Sequence, residues 1–141
     1  MQDYLELFTQ SHQRATRARV DGLEFLEKFY EIFIAKSHEI ADKFKNTDMQ
    51  RQRQHLHMSL NHMIYFSIDR RASEELLRVG RLHNKSNLNI RPELYEAWLD
   101  GLLEAVKLFD PEFDDEVDLA WRVILAPGIA YMKNQFNRNE S

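Results

Sequence analysis

The sequence predicts an all-α domain, and three observations lead to that prediction. Only four glycines and three prolines occur in its 141 residues, so long helices with brief connections are expected. Apolar residues recur at spacings of three and four along several segments. Alternation of apolar and polar residues, which would indicate strands, is nowhere sustained. The length suits one domain over residues 1–141.

The first three of six expected helices follow from their apolar faces. A first helix is predicted in residues 2–18. The second contains GLEFLEKFYEIF and closes near KSHEIADKF, and its apolar face carries Leu23, Leu26, Phe29, Tyr30 and Phe33. The third runs from about residue 48 to residue 66, with a stripe formed by Gln52, Leu56, Leu60, Met63 and Ile64.

Turn residues and prolines divide the rest of the chain into three more helices. A shorter helix over residues 71–84 ends in HNKSNLNI, whose Asn and Ser residues suit a turn. Pro92 can open the next helix, because its missing N–H is no loss in a first turn. That helix stops at Asp110-Pro111. The last begins with the acidic segment DPEFDDEVD, and Pro127-Gly128 is expected to kink or interrupt it.

Composition excludes several classes of function. The 19 basic and 23 acidic residues give a net charge of −4 without a long basic run, so nucleic acid is not expected as a partner. No eighteen apolar residues run together and the first twenty residues do not resemble a signal peptide, so no membrane association and a cytoplasmic location are expected. Without cysteine, thiolate metal sites and disulfides are excluded.

Three polar side chains are placed on otherwise apolar helix faces. His83 follows Val79 by one turn, and Tyr30 and Gln52 each interrupt the stripe of their own helix. A buried polar group costs a few kcal/mol unless it finds a partner. His83 could be a core histidine bonded to a backbone carbonyl, and Tyr30 a core aromatic with its hydroxyl at the surface. A buried ligand with a polar end would satisfy all three groups.

The same residues, taken in order, resemble the globins. The segment KFYEIFIAKSHEIADKF is similar to the globin segment that carries a distal tyrosine, here Tyr30, and a haem-contacting phenylalanine, here Phe44. RQRQHLHMSL resembles the start of the distal helix, with Gln52 and, one turn later, Leu56. GRLHNKSNLNIRPELY resembles the proximal segment. The resemblance covers roughly residues 23–132, and is strongest to bacterial single-domain haemoglobins and the haem domain of flavohaemoglobins.

The resemblance implies a globin fold, three helices on three around a b-type haem, with His83 as the iron ligand. It further implies reversible binding of oxygen, carbon monoxide or nitric oxide, stabilised by hydrogen bonds from Tyr30 and Gln52. Gln52 and His83 lie 31 residues apart, which suits two helices on opposite sides of a flat cofactor. Expected apolar contacts, for each of which plain helix packing is the alternative, are Leu56, Val79, Leu82, Leu88, Leu102 and Val106.

Departures from the family pattern leave several roles open. Tyr95 matches the tyrosine that contacts the proximal histidine, but APGIAYMKNQF lacks the glutamate that strengthens this contact in flavohaemoglobins. Tyr95 could instead face the haem edge. His55, three residues after Gln52, is expected to face solvent or a haem propionate, with direct iron ligation as the minor alternative. The remaining histidines expected at the surface are His12, His38 and His62.

Two classes of function follow from the resemblance. The first is oxygen storage, delivery or scavenging, with enzymatic removal of nitric oxide as an extension of it. Because the chain holds no GxGxxG and no flavin-binding segment, that extension requires a separate reductase. The second class is a gas sensor or interaction module that acts on a partner protein, and a helical adaptor without haem is a third hypothesis. No feature of the sequence distinguishes a monomer from a dimer.

Overall fold

The computed structural model of the chain describes residues 3–69, 74–84 and 89–136. Across these ranges the chain forms seven helices and no strand, which confirms the all-α prediction. The helices are α1 (Tyr4–Arg17), α2 (Phe25–Ile34), α3 (His38–Phe44), α4 (Met49–Asp69), α5 (Glu74–His83), α6 (Leu94–Phe109) and α7 (Asp115–Gln135). Within these ranges no helix is both long enough and apolar enough to cross a membrane.

Four of the helices begin directly after a side chain that caps them. In each case a side-chain oxygen accepts an amide N–H two or three residues later, at 2.9–3.2 Å. These capping residues are Asp3, Ser37, Asp48 and Asp114. Each cap satisfies an amide that would otherwise lack a partner at a helix start, and so fixes where the helix begins.

The break between α2 and α3 corrects the predicted count of six helices. The second helix ends at Ile34, and the segment expected to close it forms a separate short helix instead. Ser37 has extended backbone angles, φ −161° and ψ 159°, and its hydroxyl accepts the N–H of Ile40 at 3.2 Å. A serine side chain that bonds to the backbone as the cap of a new helix competes with continuation of the previous helix. A new helix therefore begins after Ser37.

Of the kink or interruption expected at Pro127-Gly128, the interruption is wrong, because α7 runs unbroken through both residues. Pro127 removes the donor for the carbonyl of Val123, and the Val123 side chain is 43% exposed, so water can reach this face of the helix. Gly128 is buried against α4: a Cβ placed there would lie 2.8 Å from Cε of Met63. Gly128 therefore permits close packing of two helices and does not end one.

The start of α6 lies two residues later than expected. Pro92 and Glu93 form a turn, and the helix begins at Leu94. The N–H of Leu94 donates to the Arg91 carbonyl at 2.9 Å, and the N–H of Tyr95 donates to the Pro92 carbonyl at 3.2 Å. Pro92 thus begins the turn that leads into the helix, where its missing N–H costs nothing.

Helices α6 and α7 form the centre of the described structure. Helix α2 packs on α6, α1 packs on α7 and α6, and α4 packs on α7. Helix α5 lies against α4 and α7. The largest fully buried apolar side chains are Trp121, Phe8, Phe29, Phe109, Ile40, Leu60, Leu76, Leu102, Leu125 and Val106.

A buried polar network joins α1 to the ends of α6 and α7. The Asp110 carboxylate accepts hydrogen bonds from Ser11 Oγ at 2.6 Å and from Arg14 Nε at 2.6 Å. Trp121 Nε1 in turn donates to Ser11 Oγ at 2.9 Å. Burial alone would raise the pKa of Asp110, but the hydrogen bonds from Arg14, Ser11 and the Glu112 amide outweigh it and lower the pKa. The carboxylate is therefore charged and paired in the interior.

Candidate functional site

Tyr30 and Gln52 meet across α2 and α4. Tyr30 is 5% exposed, and Gln52 lies half-buried in the first turn of α4. Gln52 Nε2 donates a hydrogen bond to the Tyr30 hydroxyl oxygen at 3.2 Å. Since that oxygen is the acceptor, the hydroxyl keeps its own hydrogen for a further acceptor. The two inward polar groups predicted from the sequence are therefore brought together.

The Tyr30 hydroxyl is held in its protonated form. Burial raises the pKa of Tyr30 to about 12, although the hydrogen bond from Gln52 and the nearby Arg53 guanidinium act in the opposite direction. The phenol is consequently neutral throughout the physiological pH range. It can act as a hydrogen-bond donor and not as an anion.

Phe44, at the end of α3, completes this side of the site. Its ring centroid lies 5.5 Å from that of Tyr30 and 6.1 Å from that of Phe33, both in edge-to-face arrangements. Such aromatic contacts hold the tyrosine ring in one orientation. Because Ser37 starts α3 as a separate helix, the cap that breaks the expected longer helix also sets the position of Phe44.

His83 occupies the last position of α5 with one ring nitrogen fixed. Its Nδ1 lies 2.8 Å from the Val79 carbonyl oxygen, and a carbonyl can only accept, so Nδ1 carries the hydrogen. Burial lowers the pKa of His83, with the hydrogen bond to Val79 opposing the shift. The ring is therefore neutral, and Nε2 carries a lone pair that no group in the described ranges uses. Metal-binding histidines are oriented in this way.

Asn89 and Ile90, in the segment after His83, form backbone hydrogen bonds with the end of α5. The N–H of Ile90 donates to the His83 carbonyl at 3.1 Å, and the N–H of Asn89 donates to the Asn84 carbonyl at 2.8 Å. Asn89 has a φ of +54°, a left-handed conformation that asparagine tolerates better than most residues. These bonds fix the end of α5, and with it the position of the imidazole.

Arg91 was not singled out from the sequence, yet it ties this segment to α3. Its Nε and Nη2 contact the two carboxylate oxygens of Glu39 at 2.8 and 2.6 Å. The partners are 52 residues apart, so no local pattern in the sequence reveals the pair. The fork joins the connection between His83 and α6 to the helix that carries Phe44.

Tyr95 is buried in the first turn of α6 with its hydroxyl unsatisfied. The side chain is 9% exposed, and its hydroxyl oxygen has no hydrogen-bond partner among the residues placed by the structure. Burial raises the pKa of Tyr95, so the group is a neutral phenol. An unsatisfied buried hydroxyl costs about 1–3 kcal/mol, which a polar group of a bound molecule would recover.

The other residues predicted to contact haem differ in how exposed their side chains are. Leu56 is 8% exposed, whereas Leu102 and Val106 are fully buried among the core helices. Val79 is half-buried beside its bond to His83. Leu82 is 44% exposed and lies outside the packed interior, so its contact with haem stays a prediction. Its position follows the helical period, which turns residue 82 away from the face of buried Leu76. Leu88 lies outside the described residues.

Of the histidines expected at the surface, some are exposed and others are half-buried. His55 and His38 are exposed, as expected. His12 is not a surface residue: it is half-buried, stacked on Phe8 with ring centroids 5.7 Å apart. His62 is half-buried as well. Both correct the sequence-based expectation, because each shares its helix face with neighbouring apolar residues that pack inward.

Comparison with known proteins gives a match among solved structures. No protein-family model and no curated protein matches the chain. The crystal structure of protein PA3967 from Pseudomonas aeruginosa PAO1, described as structurally highly homologous to a human hemoglobin, is similar with a TM-score of 0.88. The two sequences are 33% identical, and the match covers 96% of this chain and 100% of that one. The correspondence thus extends over almost the full length of both chains.

Proposed function

This chain belongs to the globin family, and we propose that it binds one b-type haem through His83 and takes up a diatomic gas, with oxygen as the main ligand. Carbon monoxide and nitric oxide are the other gases proposed. The observation that carries the proposal is the His83 imidazole, kept neutral by burial and fixed by its Nδ1–H on the Val79 carbonyl. The Tyr30 and Gln52 pair supports a closer relationship with bacterial single-domain haemoglobins and the haem domain of flavohaemoglobins.

The residues present fit a haem. A neutral imidazole with a lone pair on Nε2 is the donor that a haem iron takes from a globin. The unsatisfied Tyr95 hydroxyl supplies a polar group for the edge of a flat molecule, and Leu56 and Phe44 supply apolar contacts for its face. His55, exposed on α4, is proposed as a partner for a propionate.

When bound, haem would supply an iron that takes up a gas, and His83 would hold that iron. The chain's contribution on the proximal side is the orientation and charge of His83. Its Nδ1–H donates to the neutral Val79 carbonyl and to no carboxylate in the described ranges, so the imidazole keeps its neutral character. We therefore propose ordinary reversible gas binding at this site, without the strong electron donation that a glutamate partner gives.

On the other side, Tyr30 acts as the hydrogen-bond donor and Gln52 as its positioning residue. Gln52 Nε2 occupies a lone pair of the Tyr30 oxygen, so the hydroxyl hydrogen is directed away from Gln52. A ligand atom with partial negative charge is the acceptor that suits this donor. A hydrogen bond to a charged acceptor contributes about 1.5–3 kcal/mol.

The cellular role proposed is storage, delivery or scavenging of oxygen. Removal of nitric oxide consumes electrons, and the 141 residues contain no GxGxxG that would bind a nicotinamide or flavin dinucleotide. For that reaction we propose a reductase, outside these 141 residues, as the electron donor. The chain on its own is expected to bind gas without sustained turnover.

Replacing His83 tests the proposal directly. We expect His83→Ala to lose stoichiometric haem, or to regain it only with added imidazole, because the variant lacks the iron donor. The measurement is the Soret absorbance and the haem-to-protein ratio of the purified chain. His38→Ala is the matched control, since His38 is exposed on α3 and its loss is expected to leave both unchanged. A normal spectrum and full haem content in His83→Ala without imidazole would contradict the assignment.

A further inference from the structure

His12 on α1 and His57 on α4 form a pair of imidazoles away from His83. Their ring centroids lie 6.3 Å apart with 33° between the ring planes. Neither ring forms a hydrogen bond with any residue that the structure places. Helices α1 and α4 both pack mainly on α7 and have few contacts with each other. The two rings meet between these helices.

The surroundings of His12 favour its neutral form. The ring stacks on Phe8, at 5.7 Å between centroids, and lies edge-on to Trp121 at 5.8 Å. Burial, together with the nearby His57, lowers the pKa of His12. At physiological pH the ring is therefore a neutral imidazole, which is the form that coordinates metal ions.

We propose that His12 and His57 together bind a divalent transition metal ion, of which Zn²⁺ is the representative. Imidazole nitrogen is a preferred ligand of Zn²⁺, Ni²⁺ and Cu²⁺. Zinc–nitrogen bonds of about 2.0–2.1 Å at a tetrahedral angle place the centroids of two rings that share an ion about 5 Å apart. The observed 6.3 Å is longer than this, so binding requires the exposed His57 ring to move about 1 Å closer to His12 by a change of rotamer.

The site supplies two protein ligands, and water completes the coordination. In the part of the chain that the structure describes, no group of three or more His, Cys, Asp or Glu side chains is placed to hold a metal ion. An ion with two imidazoles and water is accessible and exchangeable, unlike a closed structural zinc site. It would link α1 to α4, the helix that carries Gln52. The proposal stands on this pair alone and does not depend on haem binding.

Zinc titration of four matched proteins tests the proposal. Isothermal titration calorimetry with Zn²⁺ is carried out on the purified 141-residue chain and on His12→Gln, His57→Gln and His38→Gln, all at equal haem content. We expect one site of micromolar affinity in the unchanged chain, and at least a tenfold loss of affinity in either His12→Gln or His57→Gln. Because a shared ion needs both rings, the double variant should lose little more than either single variant. His38 is exposed on α3 and serves as the control.

If a change at the half-buried His12 weakens the fold, His57→Gln still tests the proposal, because His57 is exposed. Unchanged Zn²⁺ affinity in His57→Gln would overturn the proposal. So would an equal loss in His38→Gln, or additive losses in the double variant, since these indicate separate single-histidine sites. Absence of a micromolar site in the unchanged chain would overturn it as well.

Discussion

At the level of single residues, the Tyr30 hydroxyl is the group with the clearest expected effect on gas binding. Tyr30→Phe removes one donor without changing ring packing, so oxygen release should accelerate about ten- to a hundredfold, the equivalent of one charge-assisted hydrogen bond. Carbon monoxide is less polar when bound, and its release should change much less. Stopped-flow displacement of each gas measures both rates.

Tyr65→Phe is the matched control, because Tyr65 is 68% exposed on α4 and should leave both rates unchanged. Gln52→Leu should change oxygen release in the same direction as Tyr30→Phe but less, since Gln52 orients the hydroxyl. The two changes should be non-additive in the double variant. Unchanged oxygen release in Tyr30→Phe would show that this tyrosine is a packing residue.

Asp110 is the buried charge on which the α1 network depends. Asp110→Ala leaves the Ser11 hydroxyl without its acceptor and the partly exposed Arg14 guanidinium with only Glu112 at 3.4 Å, so the free energy of unfolding should fall by about 1–3 kcal/mol. Urea denaturation measures the change. Asp100→Ala is the control, because the Asp100 side chain is 60% exposed and 4.0 Å from Arg122. Equal loss of stability in the two variants would show that the network contributes nothing.

At the level of helices, the crossing of α4 and α7 depends on Gly128. A methyl group there would lie 2.9 Å from Met63 Cγ and 3.1 Å from its Cβ, so the helices must separate. Gly128→Ala should reduce the free energy of unfolding by about 1–3 kcal/mol, despite the better helix propensity of alanine. Thermal or urea unfolding measures it.

Gly101→Ala provides the comparison for Gly128. A Cβ at Gly101 would meet its nearest neighbour, Lys36 Cε, at 3.4 Å, an ordinary contact distance. Alanine there should be neutral or stabilise the protein by up to about 1 kcal/mol. A Gly128→Ala protein as stable as Gly101→Ala would mean that Met63 moves aside without cost.

Helix positions could be predicted where an apolar face is continuous. They could not be predicted where a single side chain determines whether a helix begins or continues. The stripe from Leu56 to Met63 predicted α4 closely, because burial repeats along the whole helix. The break at Ser37 and the continuation through Pro127 both went against expectation. The break depends on a capping hydroxyl, and the continuation depends on a carbonyl that water can reach. The periodicity of apolar residues reports neither feature.

At the level of the whole molecule, stability should depend on pH through His12. Burial and the nearby His57 lower the pKa of His12 in the fold, whereas the unfolded chain takes up this proton near the ordinary value of 6.5. Below that value the unfolded chain binds more protons, so the free energy of unfolding should fall as the pH is lowered from 7 to 5. One proton gives at most about 1.4 kcal/mol per pH unit.

His12→Gln should flatten this pH dependence, and urea titrations at several pH values with a metal chelator present measure it. His83, whose pKa is also lowered, contributes with the same sign, so the difference between variant and unchanged chain isolates His12. His38→Gln, at an exposed position, should keep the original slope. An identical slope in His12→Gln would contradict the prediction.

The arrangement of the candidate site was predictable in part. The sequence predicted that Tyr30 and Gln52 both point inward toward one ligand, and the structure joins the two side chains by a hydrogen bond. The functional roles of these residues remain predictions. The Arg91 and Glu39 fork could not be predicted, because it forms only when the complete fold brings two distant segments together.

The network around Asp110 also has a consequence for synthesis of the chain. Ser11 is separated from Asp110 by 99 residues and from Trp121 by 110, so its partners leave the ribosome long after it does. Until then Ser11 and Arg14 can be satisfied only by water, and α1 has no surface of α7 on which to dock. The first helix is therefore among the last to be locked in place during translation, and its apolar face stays exposed to solvent on the nascent chain meanwhile.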